Sequence, residues 1–474
     1  MLTRRRFLGF STLGMMAFSA GCRPPGFQRA LYAADLSTDS LQRKAKQKRL
    51  KDYLLGYPIN MNDPPEGFFA WRKELFKAGI GAFAFNNVGN PFKASPIPYN
   101  THDFERETIR EFAKLFAFPA NDTWGFLSNS GTDSNMHGMY MGRTVLKGRT
   151  GLLPKAYFTR EAHYSVQILR DLLGLEAIEV GTLSDSGMDP ADLSRKLDEN
   201  ADAPALVVAT VGTTFKGAID NIDAIQECLT GHASYVHVDA ALFGGYLPFT
   251  SHARQVSCRA SDDATDSRYD SIAVSCHKFF GFPSPAGLFV AKRSLYDEFN
   301  ALFSQIHNPE YIHHVPGTIT CSRDAVKPAE FYFYTTPVAL ARQADDARLI
   351  LDNTTYLLEQ MHTHFPQLRA VRANPLSNTV YFRDPGDAIV KKYSLATMHL
   401  NVDNRRVNFA HVVVMPHVSR DVIDEFLADL DAHATPLSAG SSLMRTVASC
   451  RSLGRRVRSV RCGACVPLRA KSLR

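Results

Sequence analysis

Between residues 432 and 474 the chain has no aspartate or glutamate, yet that stretch carries eight arginines and one lysine. Its formal charge of +7 lies at the ends: without this stretch the balance is −2, and without Arg4, Arg5 and Arg6 as well it is −5. The body is mildly acidic, which excludes a basic nucleic-acid surface in the middle. Long apolar runs are missing too. The N-terminal one, residues 7–20, is fourteen residues and too short to span a bilayer as a helix. Cysteine is sparse, eight in 474 residues, which excludes a small disulfide scaffold. Cys462 and Cys465 form a single C-x-x-C with no second pair at a matching spacing, so no zinc site is expected there. There is no H-E-x-x-H pattern, no P-loop, no convincing metal set among the histidines and no internal repeat. The glycine pattern GIGAFA at 79–84 follows a helix-like stretch and not a strand, which argues against a dinucleotide site.

What is present is ordinary globular composition, 45% apolar and 21% charged, over a length that holds one large domain and a smaller one. Residues 1–22 combine TRRRFLGF, a short apolar stretch and Ser-Ala-Gly-Cys. They read as a cleaved export signal of the twin-arginine type, with a lipid anchor at Cys22 as the alternative. The expected location is therefore periplasmic or membrane-anchored, and cytoplasmic if the segment is not a signal. Residues 23–100 read as an N-terminal segment beginning with a linker or solvated helix. Residues 101–325 read as a large domain, 326–431 as a long helix and small α+β domain, and 432–474 as a basic tail without periodicity. In the large domain the runs KAYFT, ALVVAT, YVHVDA, SIAVS and GLFVAK alternate with helical patterns such as 104–116 and 133–146. This implies an α/β fold with a mostly parallel sheet covered on both faces.

In such sheets ligands bind beyond the carboxyl ends of the strands. There the sequence delivers Asp239 after YVHVD, His277 and Lys278 after SIAVSC, and Thr213 after ALVVATVG. Ser130, Gly131 and Thr132 open a helix, where free N–H groups and the dipole favour a phosphate. A phosphate seat, a buried carboxylate and an amine are together what pyridoxal phosphate needs: a lysine to bind its aldehyde as a Schiff base and an acid to keep its ring nitrogen protonated.

From about residue 54 to 431 the chain resembles the group II pyridoxal-phosphate decarboxylases, most of all the bacterial-type histidine decarboxylases and their plant serine decarboxylase relatives. The resemblance runs through GYPIN, NNVGNPF, HDFERETIREFAKLF, SNSGTDSNMHGMYMGR, YFTREAHYSV, VGTTFKGAIDNID, HVDAALFGG, SCHKFFGFPSPAGLFVAKR and GTITCSRD. It implies the aspartate-aminotransferase-like fold (fold type I), a homodimer or homotetramer, and an amino acid substrate. It also implies roles: Lys278 as the Schiff-base lysine, Asp239 under the ring nitrogen, His163 stacked on one ring face and Ala241 against the other. Ser130, Gly131, Thr132, Ser275 and His277 would hold the phosphate, and Thr213 would sit near a cofactor oxygen or the substrate carboxylate. Ser322 and Arg323 match a loop that approaches the substrate, from the same or from the neighbouring subunit. The alternatives are a core histidine at 163, a helix cap at Thr132 and a solvated Arg323.

Two departures stand out. Ser130-Gly131-Thr132-Asp133-Ser134-Asn135 replaces the family's Gly-Gly-Thr-Glu-Gly-Asn, and Ser275-Cys276-His277-Lys278 replaces Ser-Gly-His-Lys. Side chains in place of glycine are expected to narrow the site. The reaction implied is decarboxylation of an L-amino acid, histidine first, then serine or an aromatic amino acid. An aminotransferase and a catalytically inactive cofactor-binding protein are the other readings.

Overall fold

The computed structural model describes residues 27–261, 267–306, 308, 310–312 and 315–433. The export-signal reading, Cys22, Cys462, Cys465 and nearly all of the basic tail lie outside them. No described helix is long and apolar enough to cross a membrane.

Seven strands form the large sheet: β1 (Thr123–Ser128), β2 (Lys155–Thr159), β3 (Ala177–Val180), β4 (Ala205–Thr210), β5 (Ser234–Asp239), β6 (Ser271–Ser275) and β7 (Gly287–Lys292). Their order is β1-β7-β6-β5-β4-β2-β3. β7 runs antiparallel to both β1 and β6, and the remaining neighbours are parallel. The five expected apolar runs are five of these strands. β4 is buried at every residue because helices cover both faces, so its sequence is a continuous apolar run with no alternation. One face packs through Val207, Ala209, Val236, Val238, Ile272 and Val274, the other through Leu206, Val208, Tyr235 and Phe289.

A second sheet of β8 (Thr379–Arg383), β9 (Ala396–Val402) and β10 (Arg405–Val413) is antiparallel, in the order β8-β10-β9. Val380, Phe382, Val412 and Val413 join the same apolar core as the large sheet, so the C-terminal part does not carry a core of its own. The 28-residue helix Pro337–His364 enters that core through Ala347, Ile350, Leu357 and Met361. It is preceded by a short helix, Val326–Phe331, and a single 3-10 turn. Helix Arg420–His433 is opened by Ser419, whose hydroxyl accepts from the Val422 N–H at 3.3 Å. The solvated-helix reading of the N-terminal segment corresponds to helix Phe27–Lys48.

Candidate active site

Five strand ends meet at one cavity of about 230 Å³, lined among others by Ser130, Gly131, Thr132, His163, Thr213, Asp239, Ala241, Ser275, His277 and Lys278. Thr379 of β8 and Val413 of β10 also line it, as does Pro58 from the N-terminal segment.

Past the end of β1, Ser130 is the N-cap of helix Gly131–Thr150, its hydroxyl accepting from the Asp133 N–H at 3.2 Å. The first two helical N–H groups, those of Gly131 and Thr132, make no hydrogen bond among the described residues and stand at the positive end of the dipole. A Cβ on Gly131 would fall 2.5 Å from the Ser275 hydroxyl, so this cradle exists because residue 131 is glycine.

His163 caps helix Tyr164–Leu172. Its Nδ1 accepts from the Ser165 N–H at 3.3 Å and meets the Ser165 hydroxyl at 2.7 Å, which leaves the ring proton on Nε2. Burial lowers the His163 pKa, with Asp239 pulling it back up and Lys278 adding to the fall. Thr213 is held in a tight turn, its hydroxyl accepting from the Ala218 N–H at 2.9 Å.

Asp239, 4% exposed, takes Asn135 Nδ2 on one oxygen at 2.8 Å and the Ala241 N–H on the other at 3.1 Å. The remaining lone pairs are free to accept from a group in the cavity. The Lys278 Nζ makes no hydrogen bond or ion pair among the described residues, while its backbone carbonyl accepts from the Asn60 and Gly281 N–H groups at 3.2 Å each. Burial lowers its pKa, and Asp239 opposes the shift. His277 Nδ1 lies 3.2 Å from the Ala286 carbonyl, to which it donates. Burial lowers its pKa, with that carbonyl acting the other way.

Two expectations are corrected. Arg323 is not at the cavity. Its guanidinium is buried in an ion pair with Glu105, donates to the Gly89 carbonyl at 3.0 Å and lies 5.1 Å from the centre of the Phe126 ring. A charge this deep must be paired, and Glu105 satisfies it. Ser322 lies beside it, accepting from Asn86 Nδ2 at 3.2 Å, also outside the cavity lining. Two of the three substituted glycines do not crowd the site as expected. Cys276 is turned wholly into the core, and the Ser134 hydroxyl bonds that of Ser128 at 2.7 Å. Of the three, Ser130 faces the cavity.

Reading the sequence missed Asn135, Tyr164, Thr210, Thr379 and Pro58 in the lining. Asn135 had a usable signal, since it stands one helical turn after Gly131 and so on the same face. A larger adjoining cavity of about 770 Å³ shares His163, Tyr164 and Thr214 with the first and adds Glu161, Ser186 and Tyr381.

A mostly parallel sheet that brings a lysine amine, a buried carboxylate and an open helix N-terminus to one cavity defines a pyridoxal-phosphate enzyme of fold type I. The chain belongs to the pyridoxal-dependent decarboxylase family, whose conserved domain matches residues 90–335. It is 31% identical to the histidine decarboxylase of Solanum lycopersicum over 80% of this chain and 84% of that one. It is 32% identical to serine decarboxylase 1 of Oryza sativa subsp. japonica over 86% of this chain and 78% of that one. The crystal structure of L-methionine decarboxylase from Streptomyces sp. 590 superposes with a TM-score of 0.70 at 23% identity, covering 87% of this chain and 97% of that one. The protein is thus a carboxy-lyase that uses pyridoxal phosphate to decarboxylate an amino acid.

Proposed function

We propose that the substrate is L-histidine and the products are histamine and carbon dioxide, with Lys278, Asp239 and His163 as the catalytic residues. The observation that carries the assignment of residues is that these three side chains, from three different strand ends, line one cavity with the open N-terminus of helix Gly131–Thr150. Bound pyridoxal phosphate supplies the electron sink for the bond pair left behind by carbon dioxide. Lys278, its charge disfavoured by burial, provides the amine that tethers the cofactor and exchanges protons with the substrate. Asp239 keeps its cavity-facing lone pairs for a proton on the ring nitrogen. His163, anchored at Nδ1 by Ser165, would offer a flat face to the cofactor ring, and Ala241 in the same lining would offer a small one. The Gly131 and Thr132 N–H groups, with Ser275 and His277, make a seat for the phosphate, and Thr213 borders the same space.

Space supports histidine over smaller substrates. The adjoining cavity opens beside His163 and Tyr164, and Tyr381 gives it a polar group suited to a nitrogen-bearing ring, while Glu161 and Ser186 are held by Lys216 at 2.6 and 3.1 Å. Serine is the second reading, supported by the 32% identity to the rice enzyme. Carbon dioxide release from histidine, serine, methionine and aromatic amino acids, measured with added cofactor, decides between them. Histidine is expected to have the highest kcat/KM, and a preference for serine would overturn that choice. The same reading includes a homo-oligomer. Tyr164, Ile168 and Leu172 form an exposed apolar stripe next to the cavity, which supports burial against a second copy.

A further inference from the structure

Behind Asp239 runs a line of buried polar side chains that the reaction leaves unused. Strand β5 alternates side by side, and Tyr235, His237 and Asp239 share the face turned to helix Gly131–Thr150. Asn135 Nδ2 donates to Asp239 at 2.8 Å. His237 Nε2 lies 3.0 Å from Asn135 Oδ1, and its Nδ1 lies 2.8 Å from the Ser271 hydroxyl. The Tyr235 hydroxyl donates to Ser271 at 2.9 Å. His237 and Ser271 are direct partners in the β5–β6 register. Asn135, His237, Ser271 and Tyr235 are each at most 2% exposed. The helix approaches closely because it carries glycine opposite the rings. A Cβ on Gly138 would fall 2.4 Å from His237 Nδ1, and one on Gly142 would fall 2.6 Å from the Tyr235 ring.

Donor and acceptor chemistry gives the line a direction. The Tyr235 phenol, with no other partner among the described residues, places its proton on Ser271. Ser271 then donates to His237 Nδ1, so the neutral imidazole carries its proton on Nε2 and donates to the Asn135 oxygen. That turns the Asn135 NH2 toward Asp239. Burial pushes the His237 imidazole down to about 4, so the neutral ring is the form present near neutral pH. With the other tautomer, Asn135 would give its NH2 to the imidazole and turn its oxygen on Asp239, which would then have to hold a proton itself. We infer that Tyr235, Ser271, His237 and Asn135 are positioning residues that fix this tautomer, keep Asp239 an ionised acceptor and so hold the proton on the cofactor's ring nitrogen. The inference rests on Asp239 being the ring-nitrogen partner proposed above.

The test is nitrogen-15 NMR of holoenzyme carrying pyridoxal phosphate labelled at the ring nitrogen. The unaltered protein is expected at the protonated position. His237→Phe and Ser271→Ala are each expected to move the resonance toward neutral pyridine and to lower kcat about tenfold or more with KM little changed. His237→Gln, whose terminal NH2 replaces the Nε2 donor, is expected to stay near the unaltered position. Ser271→Ala removes one oxygen and no bulk, so the test stands even if His237→Phe fails to fold. Asp239→Ala is the reference. If it loses the protonated signal while His237→Phe and Ser271→Ala keep it, the relay is overturned and the role of Asp239 stands. If Asp239→Ala keeps the signal, the underlying reading fails and the relay with it. A His237→Gln resonance displaced as far as that of His237→Phe would trace the effect to packing and overturn the relay as well.

Discussion

A lysine at the end of a buried strand is an expensive choice unless its amine has chemical work, because an ammonium loses hydration there. The Lys278 amine has no hydrogen-bond or ion-pair partner among the described residues to offset that loss, and the Asp239 carboxylate acts on it only through space. Replacing it therefore separates chemistry from folding. Lys278→Ala is expected to lower kcat by a factor on the order of 10³ or more and to remove the visible band of tethered cofactor. The cofactor-free protein should melt no lower than before, because a buried amine is lost and no bond is broken. Retained turnover, read by carbon dioxide release, would move the assignment away from residue 278. At this scale the sequence was informative where a charged residue ended an apolar run, as at Asp239 and Lys278. It was silent for Thr379 and Pro58, which reach the cavity from segments far away in the chain and carry no chemical mark of their own.

Between elements, the same kind of signal was open to misreading. Glu105 interrupts the apolar face of helix His102–Leu115, where Thr108, Ile109 and Phe112 are buried beside it. A carboxylate there requires a cation, and Arg323 supplies it from a segment 218 residues away, with Asn87 Nδ2 and the Leu127 N–H completing the shell at 3.0 and 2.9 Å. The motif around Arg323 suggested a substrate contact because pattern shows the residue and not its partner. Arg323→Met strands a buried carboxylate and is expected to cost about 3–5 kcal/mol of stability, whereas Arg323→Met with Glu105→Gln should recover part of it. Denaturant unfolding of both variants checks this. A loss of substrate affinity with unchanged stability would restore the catalytic reading. Strands show the same limit. The runs that became β2, β4, β5, β6 and β7 were legible from apolarity alone. β1 hid because Gly125 breaks its pattern, a residue required where a Cβ would fall 2.3 Å from the Phe289 carbonyl. β3 hid because only Val180 of its four residues is buried, and Glu179 is exposed.

Across the whole molecule, buried histidines set how the fold responds to acid. His137, packed among aromatic rings with both ring nitrogens unpartnered among the described residues, is pushed down to about 3, and His237 and His417 to about 4, each chiefly by burial. In the unfolded chain each would titrate near 6.5. Between that value and about 4 the unfolded state therefore takes up protons that the folded state refuses, so the stability present above pH 6.5 is lost as pH falls. Asp220, raised by burial to about 6 against the pull of the Thr210 and Met188 N–H groups, runs the other way, as do Glu330 and Asp346. Their burden is relieved by acid, which blunts the loss. A single substitution isolates one histidine from this balance. His417 accepts from the Met61 N–H at 3.3 Å and reaches the Leu54 carbonyl at 3.2 Å, tying the N-terminal segment to the chain just after β10. His417→Gln keeps a donor for Leu54 and cannot take up a proton. Its unfolding free energy is expected to fall less steeply between pH 6.5 and 4.5, by roughly 1.4 kcal/mol per pH unit, the contribution of one proton. Urea unfolding of cofactor-free protein at several pH values gives both slopes, and equal slopes would show that His417 is not held neutral by the fold.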